Sequence, residues 1–164
     1  MSCIRPEEYL SKVEIIDAHK LLAQGKTTVL LDVDNTLVPR DVDQVPASVI
    51  EWVETLKASG LRICLLSNNW HQTVLTYAQT LGLPIVRKAI KPLPFAFLHA
   101  IRKVGGTRRS AVVIGDQLVT DVFGAHFLRM YAILVAPQAA RDLWHTLLLR
   151  RIEHLFMRGM SPTR

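Results

Sequence analysis

Cysteine is almost absent from this chain: Cys3 and Cys64 are the only two among 164 residues. Neither belongs to a Cys-x-x-Cys pair, so thiolate zinc sites and dithiol redox chemistry have no foundation here. Cys64, inside the apolar run "LRICLL", reads as a small buried apolar residue. Long hydrophobic runs are missing too, and no stretch approaches the roughly 18–20 apolar residues of a membrane-spanning helix. The opening "MSCIRPEEYL" lacks the basic-then-apolar order of a secretion signal, so a cytoplasmic location is expected. With no internal repeat, low-complexity tract or long linker, a single domain over 1–164 with a sizeable core is the expected organisation.

Acidic residues are also in short supply. Asp and Glu number 14 against 20 Lys and Arg, giving a net charge of +6 and a pI near 9.7. That balance points to an anionic partner, whether nucleic acid, a phospholipid surface or a phosphorylated substrate. A hydrophobic content of 49% with 21% charged residues excludes a disordered chain and a coiled coil.

What the sequence does have is alternation. "TVLLDV" (28–33), "LRICLLS" (61–67), "PIVR" (84–87), "SAVVIGD" (110–116) and "YAILVA" (131–136) read as buried strands. Helical patterns separate them at 45–60, 71–82, 94–106 and 119–130, with Gly60, Gly82 and the Gly105-Gly106 pair as stops. An amphipathic segment over 7–25 precedes the first strand, and a basic amphipathic helix is expected over 138–158. Strands alternating with helices predict an α/β fold, a doubly wound parallel sheet covered on both faces. Ligands of such sheets bind beyond the carboxyl ends of the strands.

Those ends carry the chemistry. Asp32 and Asp34 close the first run, and an extended backbone points residues two apart in the same direction. Taken alone, the pair also suits a polar turn. Asp116 ends a later strand and Asp121 opens the helix after it. Four carboxylates meeting at one sheet edge need a cation, and a small all-oxygen set suits Mg²⁺ with a phosphorylated substrate. A carboxylate beside a metal can attack phosphorus to form an acyl phosphate, while a second protonates the leaving oxygen and later activates water. Asp32 as nucleophile and Asp34 as acid/base fit these tasks. Ser67 and Asn68 supply phosphate donors, and Lys91 a fixed positive charge.

In this order, "DVDNT", "LLSNN", "KP" and "GDQLVTD" resemble the four motifs of the haloacid dehalogenase superfamily, over roughly 28–135. The resemblance implies a Rossmann-like three-layer core. It implies that Asp32 is phosphorylated and that Asp34 is the general acid/base, its backbone carbonyl also touching Mg²⁺. By the same likeness, Ser67 binds the transferring phosphate and Lys91 stabilises it. Asp116 ligates the metal, and Asp121 orients a metal-bound water or Lys91. Asn35 replaces the usual Gly, as in the third subclass. The segments 38–67 and 69–91 each hold about one helix and leave no room for a cap domain.

With "NNW" and "GDQLVTDVFGAH" added, the chain looks most like the YqeG-type phosphatases of subclass IIIA. Their relatives include mitochondrial phosphatidylglycerophosphate phosphatases. The implied activity is an Mg²⁺-dependent phosphomonoesterase, with that lipid as leading substrate and a peripheral contact with anionic membrane. A nucleotidase, a sugar phosphatase and a receiver-like phosphoacceptor are the alternatives.

Other features carry less. Lys88 rivals Lys91 for the phosphate, and Asn69 and Trp70 lie just beyond the second strand, where they line an entrance or pack. His71 suits a structural place at a helix start, and the remaining histidines lack metal-ligand spacing. "GKTT" (25–28) imitates a P-loop but lacks its upstream Gly and enters a strand rather than leaving one. No recognition-helix motif or aromatic platform supports specific nucleic-acid binding.

Overall fold

A computed structural model describes residues 5–139 and 161–163. Among these residues six strands form one sheet: β1 (Glu8–Leu10), β2 (Thr28–Leu31), β3 (Arg62–Leu66), β4 (Ile85–Val86), β5 (Ala111–Gly115) and β6 (Tyr131–Val135). Their order is β1-β6-β5-β2-β3-β4, and every pairing is parallel. Five helices connect them: α1 (Ala18–Ala23), α2 (Ala47–Ala58), α3 (Thr73–Leu81), α4 (Pro94–Lys103) and α5 (Phe123–Phe127).

Alternation along the strands builds two cores. Val29 and Leu31 face the layer of α1, α2 and α3, whereas Leu30 faces that of α4 and α5. The predicted stripe Val49, Trp52, Val53 and Leu56 is the buried face of α2. The indole of Trp52 donates to Ile16 O at 3.0 Å, so its polar edge is satisfied inside the core. Helix α3 ends at Gly82, whose φ of +60° suits glycine and lets its N–H close back onto the last turn. The result is the expected three-layer α/β/α core. Only α2 lies between β2 and β3, and only α3 between β3 and β4, so no cap interrupts either connection.

Two expectations are revised. The segment over 7–25 is not one amphipathic element: it contributes β1, a 3₁₀ turn at Val13–Ile15 and the short α1. The sheet therefore has six strands, not five. Three residues are too few to show a strand period, and pairing with β6 decides their conformation. The helix expected over 119–130 opens as a π-type turn at Leu118–Val122 and becomes α-helical only at Phe123. At the outer edge Thr163 pairs with Leu10 beside β1. Of the helix expected over 138–158, residues 140–158 lie outside the described residues, as does Cys3.

The central pair of strands sets the site. Leu31 is in register with Ile114 on one side and Leu65 on the other, so Asp32, Ser67 and Asp116 all emerge at one end of the sheet.

Candidate active site

Asp32 leaves β2 with its N–H bonded to Ile114 O at 2.9 Å, still attached to the sheet as its carboxylate turns inward. Each of its oxygens has a donor. Lys91 Nζ lies 2.6 Å from Oδ1, and Thr36 Oγ1 donates to Oδ2 at 3.1 Å. Thr36 reaches back because the chain turns tightly at Asn35. That residue has φ +62° and donates its N–H to Val38 O at 2.9 Å. Asn tolerates left-handed backbone better than most side chains, which explains how it stands where glycine is usual.

Lys91 also donates to Asp121 Oδ1 at 2.7 Å, and all three residues are buried. Burial pulls the ammonium pKa down, but Asp121 and Asp32 with their hydrogen bonds outweigh it and hold the pKa above the ordinary lysine value. The same burial lifts the Asp121 carboxyl to about 6, against the pull of Lys91 and with the help of nearby Asp32. Asp121 is held from its other side by Gln117 N–H, 3.2 Å from Oδ2. It reaches this place across Gly115, where any Cβ would stand 2.3 Å from the Asp121 carboxyl carbon. The π-type turn and the glycine together let the acid fold under the end of β5.

Oxygens of Asp32, Asp116 and Asp121 lie within 4.8 Å of one another, all three residues buried. Three carboxylates against one ammonium leave an excess of negative charge in a low-dielectric place. An all-oxygen set of this kind fits a hard divalent cation. The fit rests on the donor chemistry and the charge excess. The Asp34 side chain is not part of this set.

Asp34 lines the same cleft. Ser67 Oγ donates to Asp34 Oδ2 at 3.3 Å and Asn69 Nδ2 to Oδ1 at 3.0 Å. Ser67 Oγ in turn accepts the Asn69 N–H at 3.0 Å. Asn68 meets a different arrangement from the phosphate donor expected of it. Its Oδ1 accepts from Lys91 N–H at 2.7 Å and its Nδ2 donates to Lys91 O at 3.2 Å, so it clamps the lysine's main chain. Lys88 points away, its Nζ 4.5 Å from the centre of the exposed Trp70 ring. His71 is exposed and donates its N–H to Asn69 Oδ1 at 2.8 Å, a structural place at the entry to α3.

Sequence reasoning missed Thr36, Gly115 and Gln117, and left Asn69 as a residue of the entrance. The threonine had a signal, four positions beyond Asp32 in a turn, whereas the others depend on neighbours distant in the chain. The open cleft holds about 550 Å³ and is lined by Asp32, Asp34, Asn68, Asn69, Trp70, Lys91, Gln117 and Thr120, and also by Arg40 and Asp43.

The family model of the haloacid dehalogenase-like hydrolases matches residues 6–126. The chain belongs to that family. It is also 34% identical over 156 residues to the Probable phosphatase YqeG of Bacillus subtilis, covering 95% of this chain and 91% of that protein. The expectation of a YqeG-type phosphatase of this superfamily is thus met. Among solved structures, the cobalt-bound deoxy-D-mannose-octulosonate 8-phosphate phosphatase of Haemophilus influenzae shares the fold. Its TM-score is 0.57 at 14% identity, over 85% of this chain and 90% of that one. An uncharacterized protein of Listeria monocytogenes serotype 4b matches with TM-score 0.54 at 20% identity, over 76% of this chain and 99% of that one. No helix among the described residues of this family member is long and apolar enough to cross a membrane.

Proposed function

We propose that the protein is an Mg²⁺-dependent phosphomonoesterase that works through an aspartyl-phosphate on Asp32. The observation that carries this reading is the Asp32 carboxylate, held by Lys91 and Thr36 in a cleft that Asp34 also lines. Asp32 and Asp116, with the Asp34 backbone carbonyl, would hold the cation, and Asp121 would stand behind them, orienting Lys91 or a metal-bound water. When bound, the cation supplies Lewis-acid polarisation of the phosphoryl oxygens and offsets charge between nucleophile and substrate.

The chain's own residues do the rest. Lys91, fixed by Asn68, keeps a positive charge where the transferring phosphoryl group arrives. Asp32 attacks phosphorus as the bond to the leaving oxygen breaks, and Asp34 delivers a proton to that oxygen. Asp34, now a carboxylate, takes a proton from the water that attacks the acyl phosphate. Inorganic phosphate leaves and Asp32 is restored. Ser67 and Asn69 hold Asp34 for both proton transfers.

The capless cleft suits a phosphate carried by a bulky or surface-bound molecule. Phosphatidylglycerophosphate is the substrate proposed, supported by the basic chain and the family resemblance. Asp32→Asn is expected to abolish Mg²⁺-dependent phosphate release from an aryl phosphate, and normal turnover in that variant would sink the mechanism. Release from phosphatidylglycerophosphate no faster than from common soluble phosphoesters would reject the lipid.

A further inference from the structure

Ile90 stands at φ +55° with its side chain 54% exposed. A β-branched residue is among the worst choices for left-handed backbone, and Asn or Gly would take the same turn with less strain. The turn itself has an evident task. It sends Ala89 and Lys91 inward, the lysine into the site, and leaves Lys88 (φ +51°) and Ile90 outside. Inward placement of Lys91 does not require an apolar residue at 90. Among the described residues nothing covers the isoleucine.

Its neighbours share this character. Trp70 lines the cleft and is 65% exposed, and Leu93 and Phe95 project from the two sides of Pro94. Lys88 lies against the Trp70 ring among them. The stretch of chain that carries these residues is of one charge. Between Glu54 and Asp116 the sequence has no acidic residue but four Lys and five Arg. Beside Phe95, a second cleft of about 420 Å³ is bordered by Arg87, Lys88 and Lys103 and by no carboxylate.

We infer that this rim docks on an anionic phospholipid bilayer. Trp70, Ile90, Leu93 and Phe95 enter the boundary between headgroups and acyl chains, and Lys88 meets headgroup phosphates. Separately projecting apolar side chains set among cations match such an interface. A second copy of the chain is a poorer occupant, because a self-complementary contact would set this basic rim against itself. The inference rests on the proposed phosphatase reading for its purpose: docking here brings the cleft to a phosphate presented at the surface. It does not rest on that reading for its physics.

The test is flotation of the full-length protein with phosphatidylcholine vesicles, with and without phosphatidylglycerol. The wild type and Asp32→Asn are expected to float only with the anionic vesicles. The double variant Ile90→Asn with Phe95→Ser is expected to lose about tenfold or more in partition, while hydrolysing a soluble aryl phosphate as before. Ile90→Asn alone is expected to melt at higher temperature, since the strain is relieved, and yet bind vesicles less well. No preference for anionic vesicles overturns the inference. So does undiminished binding by the double variant, which would place the contact elsewhere on the chain. A dimer in light scattering that the double variant dissolves assigns the rim to self-association and also overturns it. Docking without hydrolysis of any phosphoester leaves the rim standing and rejects the phosphatase reading; hydrolysis without docking does the reverse.

Discussion

Asn69 donates its side-chain N–H to the Asp34 carboxylate at 3.0 Å across 35 positions of sequence. The bond fixes an acid of the cleft that stands apart from the metal-competent triad. In the proposed chemistry Asp34 must aim first at a leaving oxygen and then at water. Asn69→Ala is therefore expected to lower kcat by about 10- to 100-fold with little change in KM, the scale of a hydrogen bond to a charged group. Steady-state kinetics on an aryl phosphate reads this directly. A loss confined to KM would mean that Asn69 binds substrate instead.

Lys91 ties two buried carboxylates together. Lys91→Met leaves both without their countercharge, and breaking a buried pair from one side costs about 3–5 kcal/mol. Urea unfolding without divalent cation is expected to show a loss of that order. Added Mg²⁺ is expected to restore part of it by neutralising the same acids. An unchanged midpoint in the metal-free variant would contradict the arrangement.

At Gly115 the prediction concerns a single methyl group. A Cβ there meets the Asp121 carboxyl carbon at 2.3 Å, so Gly115→Ala must displace the acid. Displacing a group that orients or completes a metal site weakens affinity by about 10- to 100-fold. Calorimetric titration with Mg²⁺ is expected to show this even though the residue changed carries no ligand atom.

Cys64 supplies the pH dependence. Burial pushes its thiol up from 9.0 to about 11, with Lys103 pulling weakly the other way. The folded state thus favours the neutral thiol. Its contribution to stability is complete below pH 9 and is lost as pH rises from about 9 to 11, where the unfolded thiol ionises first. The fall amounts to up to about 2 kcal/mol. It is expected as the difference between the wild-type and Cys64→Ala stability curves measured by urea unfolding across that range. The native thiol is also expected to react with a disulfide reagent at pH 8 only after unfolding.

The strands that carry the site were readable because parallel strands buried on both faces appear as plain apolar runs. "TVLL", "RICLL" and "AVVIG" could scarcely be anything else, and the acids and serine that follow them mark the sheet's working end. Three-residue β1 had no period to show, and its pairing with β6 is a contact between distant segments. The π-type turn before α5 follows from how Asp121 is seated under β5, which no local pattern announces. Asn68 illustrates the same limit. Its type suited a phosphate donor, yet its amide is engaged by the main chain of a residue 23 positions later.

The Lys91–Asp32 pair spans 59 positions and the Lys91–Asp121 pair 30, on three segments that only the finished sheet brings together. No fragment or half-folded intermediate can therefore possess the centre, and turnover is a reporter of cooperative folding of the whole β2–β3–β5 frame. The converse also holds. A cation bound there is a ligand of the native state alone, so its binding energy resists global unfolding and protects amides throughout the central sheet from exchange.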